Sequence, residues 1–186
     1  AIPDTGAFKL REVSARPRTA YYDGKTKPKV HYLFTNTEPT DVRIDVIDRL
    51  IRSHPLATLV TMGGSGLFAT HLPMVLHRAD DSHSAILRGH MSRANRQWRE
   101  FSPEVQALAI FSGPEHYITP NWYPEKAATG KVVPTWNYAV VHAYGSLRII
   151  EDSAWLLTHL NSLTDTHEAA SPVPWTVSDA PAGYVE

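Results

Sequence analysis

The chain has 186 residues, with 18 lysines and arginines against 19 aspartates and glutamates and no cysteine. That length fits one domain with a true hydrophobic core, and the missing cysteine excludes disulfides, iron–sulfur clusters and thiolate zinc sites. A formal net charge of −1 gives no overall electrostatic pull towards nucleic acid.

Residues 1–32 stand apart from the rest. They hold Lys9, Arg11, Arg16, Arg18, Lys25, Lys27 and Lys29 against three acids and are interrupted by Pro3, Pro17 and Pro28. This predicts a basic N-terminal arm or a subunit-wrapping extension ahead of a domain over 33–186. No apolar run reaches the length of a membrane span and no signal-like apolar segment opens the chain, so a cytoplasmic protein without membrane association is expected.

The first strong element is a helix from Asp41 to Arg52, with Val42, Val46, Ile47, Leu50 and Ile51 at helical spacing and Pro55 closing it. Leu56 to Met62 and Leu67 to Leu76 read as two strands joined by the glycine-rich turn at residues 63–66, an antiparallel hairpin. Pro73 inside the second strand requires a sheet edge or a bulge. Asp80 to Ser82 reads as a turn and Ser84 to His90 as a third strand. A short Arg-rich helix from Ser92 to Trp98 follows, then a buried strand from Val105 to Phe111. Tyr117 to Thr119 predicts a brief separate strand, and residues 125–131 a solvent loop. Val132 to Ile150 is too long for one straight strand, with bends at Pro134 and Gly145. Asp152 caps a helix to His167, with Leu156, Leu160 and Leu163 on one face, before an irregular tail. Antiparallel strands with few βαβ alternations predict a mainly β protein with flanking helices, an α+β arrangement around a β-barrel.

The segment around Ser92 carries the most chemistry. Arg88, Arg93 and Arg96 crowd a predicted helix start, where cations are unfavourable unless an anion completes the arrangement. A phosphate site and a solvated basic face fit this segment equally well. Trp122–Tyr123 and Trp136–Asn137–Tyr138 place amphipathic rings beside amides, a combination that can stack on a planar heterocycle and equally can fill a core or an interface. Together with the Ser92 segment they favour a phosphorylated aromatic cofactor, and flavin mononucleotide (FMN) fits both ends. His71, His90, His116 and His142 lack the spacing of a metal site, so no metal is expected. No nucleophile elbow or paired carboxylates appear, leaving catalytic residues unknown.

ATHLP (Ala69 to Pro73), RGHMSRANRQW (Arg88 to Trp98), ALAIFSGPEHYITPNWYP (Ala107 to Pro124) and KVVPTWNYAVVHAYGSLRII (Lys131 to Ile150) closely resemble the PaiB family of FMN-binding negative transcriptional regulators. The resemblance implies an FMN-binding split β-barrel, homodimeric, with flavin at the subunit interface. Carried onto this sequence, it implies phosphate contact by Ser92, Arg93 and Asn95, with Arg88 beside them. Gly89 and His90 would pass under the ribityl chain. Backbone contact to the isoalloxazine would come from Ala69, Thr70, His71 and Leu72, and Trp136, Asn137 and Tyr138 would come from the partner or serve the interface. The family also implies a shorter lead before the first helix and a further segment beyond the equivalent of Glu186, with a Trp-Lys-Ser-Gln-Asn-like motif.

Other readings stay open on the residues themselves. A flavin-dependent reductase or oxidase acting on a small planar substrate would use Trp122, Tyr123, His116 and His142 for substrate contact. Haem needs only one axial histidine and is the alternative cofactor. A barrel that keeps the dimer without cofactor is the third. Direct DNA contact is not expected, since no helix-turn-helix, zinc finger or basic recognition helix is present.

Overall fold

A computed structural model describes residues 9–14, 44–78 and 85–181. Strand β1 (Lys9–Ser14) is the described portion of the expected basic arm; the rest of that arm lies outside the described residues. Helix α1 (Ile44–Ser53) follows the apolar spacing read from sequence. It buries Ile47 and Ile51, whereas Val46 is exposed and Val42 lies outside the described residues.

The hairpin forms as expected, from β2 (Leu56–Gly63) and β3 (Gly66–Pro73), paired from Leu56–Pro73 to Gly63–Gly66. Pro73 ends β3, and the Met74 amide turns back to the Pro55 carbonyl at 2.9 Å. The chain then leaves the first sheet and enters a second one, where β4 (Val75–Arg78) pairs antiparallel with β5 (Ala85–Arg88). The expected single strand from Leu67 to Leu76 is therefore two strands in two sheets, because a proline cannot continue the ladder. The turn expected at Asp80 to Ser82 lies outside the described residues.

The expected helix from Ser92 to Trp98 is not there. Only α2 (Gln97–Glu100) is helical, and residues 92–96 form a turn. The Ser92 hydroxyl accepts from the Ala94 amide at 3.2 Å, and the Asn95 side-chain oxygen accepts from the Gln97 amide at 2.9 Å. Short polar side chains bonding to nearby backbone compete with a helical start in this way.

Strand β6 (Ala107–Ile118) is continuous, so Tyr117 and its neighbours are no separate strand. It absorbs one extra residue between Ser112 and Glu115, where its register with β7 (Thr135–Gly145) shifts. Gly113 and Pro114 supply that bulge, as a proline lacking its donor hydrogen requires. Pro134 and Gly145 bracket β7 instead of bending it. Between the two strands the expected solvent loop contains a short helix, α3 (Glu125–Thr129).

The larger sheet has the order β1-β7-β6-β2-β3, all antiparallel, which leaves β3 at an edge among the described strands. Alternate residues of its central strands (Ala57 and Leu59 on β2, Ala107, Ala109 and Phe111 on β6, Val141 and Ala143 on β7) form the core with α1 and the β4–β5 pair. The fold is mainly β with flanking helices, as expected; its described strands make two open sheets, with no closed barrel among them. Arg78 on β4 clamps α1 through Asp48, with bonds of 2.8 and 2.6 Å. The Asp48 hydrogen bond holds the Arg78 pKa above its ordinary value, against a smaller opposing effect of burial.

Helix α4 (Ser153–Glu168) starts where expected, with Asp152 Oδ1 accepting from the Trp155 amide at 2.7 Å. Its leucine face, however, is not what it buries. Leu156 is exposed, Leu160 and Leu163 are half-buried, and His159 is the buried residue. No helix among the described residues is long and apolar enough to cross a membrane.

Candidate functional site

The structure brings two of the three expected groups together. β3 carries Ala69, Thr70, His71 and Leu72 along the sheet edge, with Ala69 and His71 exposed, Thr70 half-buried and Leu72 buried. An edge strand turns every other pair of its backbone N–H and C=O groups away from its neighbour, available to a ligand or a further strand. The segment from Arg88 to Asn95 runs beside that edge. The Asn95 side-chain amide donates to Thr70 Oγ1 at 2.9 Å, tying the turn to β3. Gly89 lies so close to the end of β3 that a Cβ there would come within 2.5 Å of Leu72 Cδ1 and 3.3 Å of the Pro73 carbonyl oxygen. A glycine is what lets the two segments approach this closely.

Three further contacts hold the turn rigidly. The Gln97 amide group, fully buried, donates to the Leu59 carbonyl at 3.0 Å and to Thr61 Oγ1 at 3.1 Å. The Trp98 indole donates to the Arg93 carbonyl at 3.2 Å. Behind α2, Phe101 bridges to Gly63, and the Ser102 amide donates to the Met62 carbonyl at 2.7 Å. The close approach is strict there too, since a Cβ on Gly63 would fall 2.1 Å from the Glu100 carbonyl oxygen.

Charge around the turn is sorted unequally. Arg96 is neutralised by Glu100 at 2.6 Å, and Glu100 also accepts from Ser65 Oγ. Arg93 is exposed and has no ion-pair or hydrogen-bond partner for its side chain among the described residues. Nor do the amides of Ser92, Arg93 and Arg96 find an acceptor there, and no carboxylate occupies the turn. Asn95 spends its side chain on Thr70 and Gln97, which makes it a residue that builds the turn. Arg88 acts on His77 and His159, whose pKa values are lowered by burial first and by its charge in addition.

Trp136, Asn137 and Tyr138 are not at this place within one chain. They pair with Tyr117, His116 and Glu115 on β6, and two strands, β6 and β2, separate β7 from β3. There the aromatic residues meet one another. His116 stacks on Trp122 with centroids 5.6 Å apart, and Tyr117 meets Trp136 edge-on at 6.0 Å. His142 is remote from that group, half-buried in the sheet between Ile110 and Arg11, with burial lowering its pKa. Two open grooves of about 420 and 500 Å³ flank the ribbon, one beside the bulge at Gly113 and one beside Trp122. Neither is lined by β3 or by the Ser92 turn.

Reading the sequence missed three residues here. Gln97 sits inside a polar run with no signal to mark it. His159 shares the helical stripe of Leu156 and Leu163, a pattern that could have marked it as buried. His77 alternates with Leu76 on a strand and gave no such sign. His90, expected near a ribityl chain, has its Nδ1 3.3 Å from His159 Nε2.

The residues present fit a phosphorylated flavin in the donor set that matters: an unpaired guanidinium and free amides on a rigid turn, beside an unpartnered strand edge. Comparison with known proteins agrees. The family described as "Putative FMN-binding domain" matches residues 33–186. An uncharacterized protein of Emericella nidulans is 38% identical, over 78% of this chain and 72% of that protein. One of Aspergillus fumigatus is 34% identical, over 78% and 73%. The Bacillus subtilis protein named protease synthase and sporulation protein PAI 2 is 33% identical, over 67% of this chain and 58% of its own length. The family match supports a flavin and adds nothing for haem. With that match spanning most of its length and meeting a turn suited to a phosphate, this chain belongs to the FMN-binding, PaiB-like family.

Proposed function

We propose that this protein is a cytoplasmic homodimer that holds FMN at the subunit interface and acts as a regulatory flavoprotein. The observation that carries the reading is the rigid turn at residues 92–96, where Arg93 and three backbone amides have no partner among the described residues and lie beside β3, an edge among the described strands. Ser92 and Arg93 would hold the phosphate; Asn95 fixes the turn that presents them. Ala69, Thr70, His71 and Leu72 would meet the flat ring along the strand edge, and Gly89 and His90 would lie under the chain between ring and phosphate. Bound FMN supplies reversible one- and two-electron chemistry.

The edge of β3 is open on one side, whereas small-molecule sites bury most of their ligand. A second subunit bringing Trp136, Asn137 and Tyr138 would supply the missing wall, and the exposure of those rings in the single chain supports this. The regulatory part rests on the resemblance of the sequence to the PaiB family of negative transcriptional regulators. It is proposed to run through the flavin or a partner and not through direct DNA contact. The net charge is −1, and α4, the longest helix described, carries no lysine or arginine.

The test compares two ligands that differ only in the phosphate. Arg93→Ala should weaken FMN by roughly 10- to 100-fold, the worth of one or two charge-assisted hydrogen bonds, and riboflavin by far less. Equal losses for both ligands, or an unaltered FMN affinity, would show that the phosphate lies elsewhere. A concentration series in sedimentation checks the dimer separately.

A further inference from the structure

Helix α4 is held to the body through an unusual residue. Its one fully buried side chain is His159, at 2% exposure, while Leu156 and Leu157 on the same helix are exposed. One face of the imidazole is stacked on Trp155, with centroids 5.5 Å apart and planes 16° from parallel. Its Nε2 lies 3.3 Å from Nδ1 of His90, the two rings meeting edge-on at 5.4 Å. Its Nδ1 is buried with no partner among the described residues.

These facts fix the protons. A buried N–H without an acceptor costs more than an unused lone pair. The orphaned Nδ1 of His159 is therefore the lone pair, and Nε2–H donates to Nδ1 of His90. Both imidazoles are neutral in this arrangement. Protonating His90 at Nδ1 removes the acceptor. Keeping the contact by reversing it would force the His159 proton onto the orphaned Nδ1. Protonating His159 itself puts both an orphaned N–H and a charge in the interior.

The surroundings all oppose that charge. The charged and titratable groups acting on His159 are His90, Arg88 on β5 and His77 on β4. His77 in turn feels Arg88 and Arg52 of α1. Every one is a base, and among the described residues no carboxylate offsets them. Burial first and these neighbours second push the His159 pKa down to about 4.

We infer that the His90–His159 contact is a proton-sensitive latch, holding α4 against the Gly89–His90 segment while His159 is neutral and releasing the helix when it is protonated. Its consequence for ligand binding rests on the reading above, in which that segment lies against the flavin. The sign follows from linkage. A released His159 titrates near 6.5 and a docked one at about 4, so acid favours release between those values. Docking is unaffected by pH above that window.

Amide hydrogen exchange on the full-length protein, corrected for intrinsic rates, reads the latch without any ligand. Below pH 6.5 the opening of α4 should increase by up to about tenfold per pH unit, while α1 serves as the reference that does not follow. His159→Gln, which cannot titrate, should flatten that slope. His90→Gln, at a half-buried position, leaves an oxygen that can still accept from His159 Nε2 and should keep the slope. Protection of α4 that is flat with pH in the unaltered protein, or a slope that survives His159→Gln, would overturn the latch. Riboflavin, which has no titrating phosphate, reports on the link to the site, and its affinity should fall in parallel with α4 opening. If α4 opens while riboflavin affinity stays flat, the latch stands and the placing of Gly89–His90 against the flavin fails.

Discussion

The two halves of the β6–β7 pair differ in what the rest of the chain does for them. Over residues 107–112 and 139–145 the strands lie against β2 and under α1, and Ala107, Ala109, Phe111, Val141 and Ala143 are buried. Beyond the bulge, over 115–118 and 135–138, the same strands pair only with each other among the described residues, and Tyr117, Trp136 and Tyr138 stay exposed. Two strands without a third face are at best marginal in water. The distal ribbon has ring contacts such as Tyr117–Trp136 and leaves aromatic surface exposed. Strand propensity is alike in both halves; only the neighbours decide which half is core.

Three substitutions test that contrast. Phe111→Ala should cost about 3–5 kcal/mol of folding stability, because it empties the centre of the proximal half. A shift in denaturation midpoint much smaller than this would mean that the sheet collapses around the gap and that the core is less closely packed than described. Asp48→Asn should cost roughly 1.5–3 kcal/mol by breaking the charge-assisted clamp on Arg78, and should loosen α1 over the proximal half only. Exchange protection lost equally across the ribbon would contradict the division. Trp136→Ala should cost only about 0.5–1.5 kcal/mol of single-chain stability, since its contact is one exposed aromatic pair. The same change should raise the concentration at which the proposed dimer dissociates, and a dimer that is indifferent to it would place the interface elsewhere.

Much of the architecture was legible from local patterns. Apolar spacing gave α1, the hairpin turn gave β2 and β3, Pro73 gave the edge, and Asp152 gave the start of α4. The errors share one cause. The Ser92 segment reads as a helix because its residues suit one, yet Ser92 and Asn95 close turns with neighbouring amides, and Gln97 anchors the turn to β2 across a long stretch of sequence. The contrast between Arg93 and Arg96 likewise depends on where Glu100 falls.

By itself, the sequence determined the class of fold and the family, because periodicity and motif order are properties of neighbouring positions. Tertiary structure alone decided which cations remain unpaired, which half of a long hairpin becomes core, and that α4 anchors itself through a histidine and not a leucine. Those outcomes turn on burial and on partners tens of residues away, as with Asn95 and Thr70 or His90 and His159. A polar side chain is settled by its surroundings, which local pattern does not record.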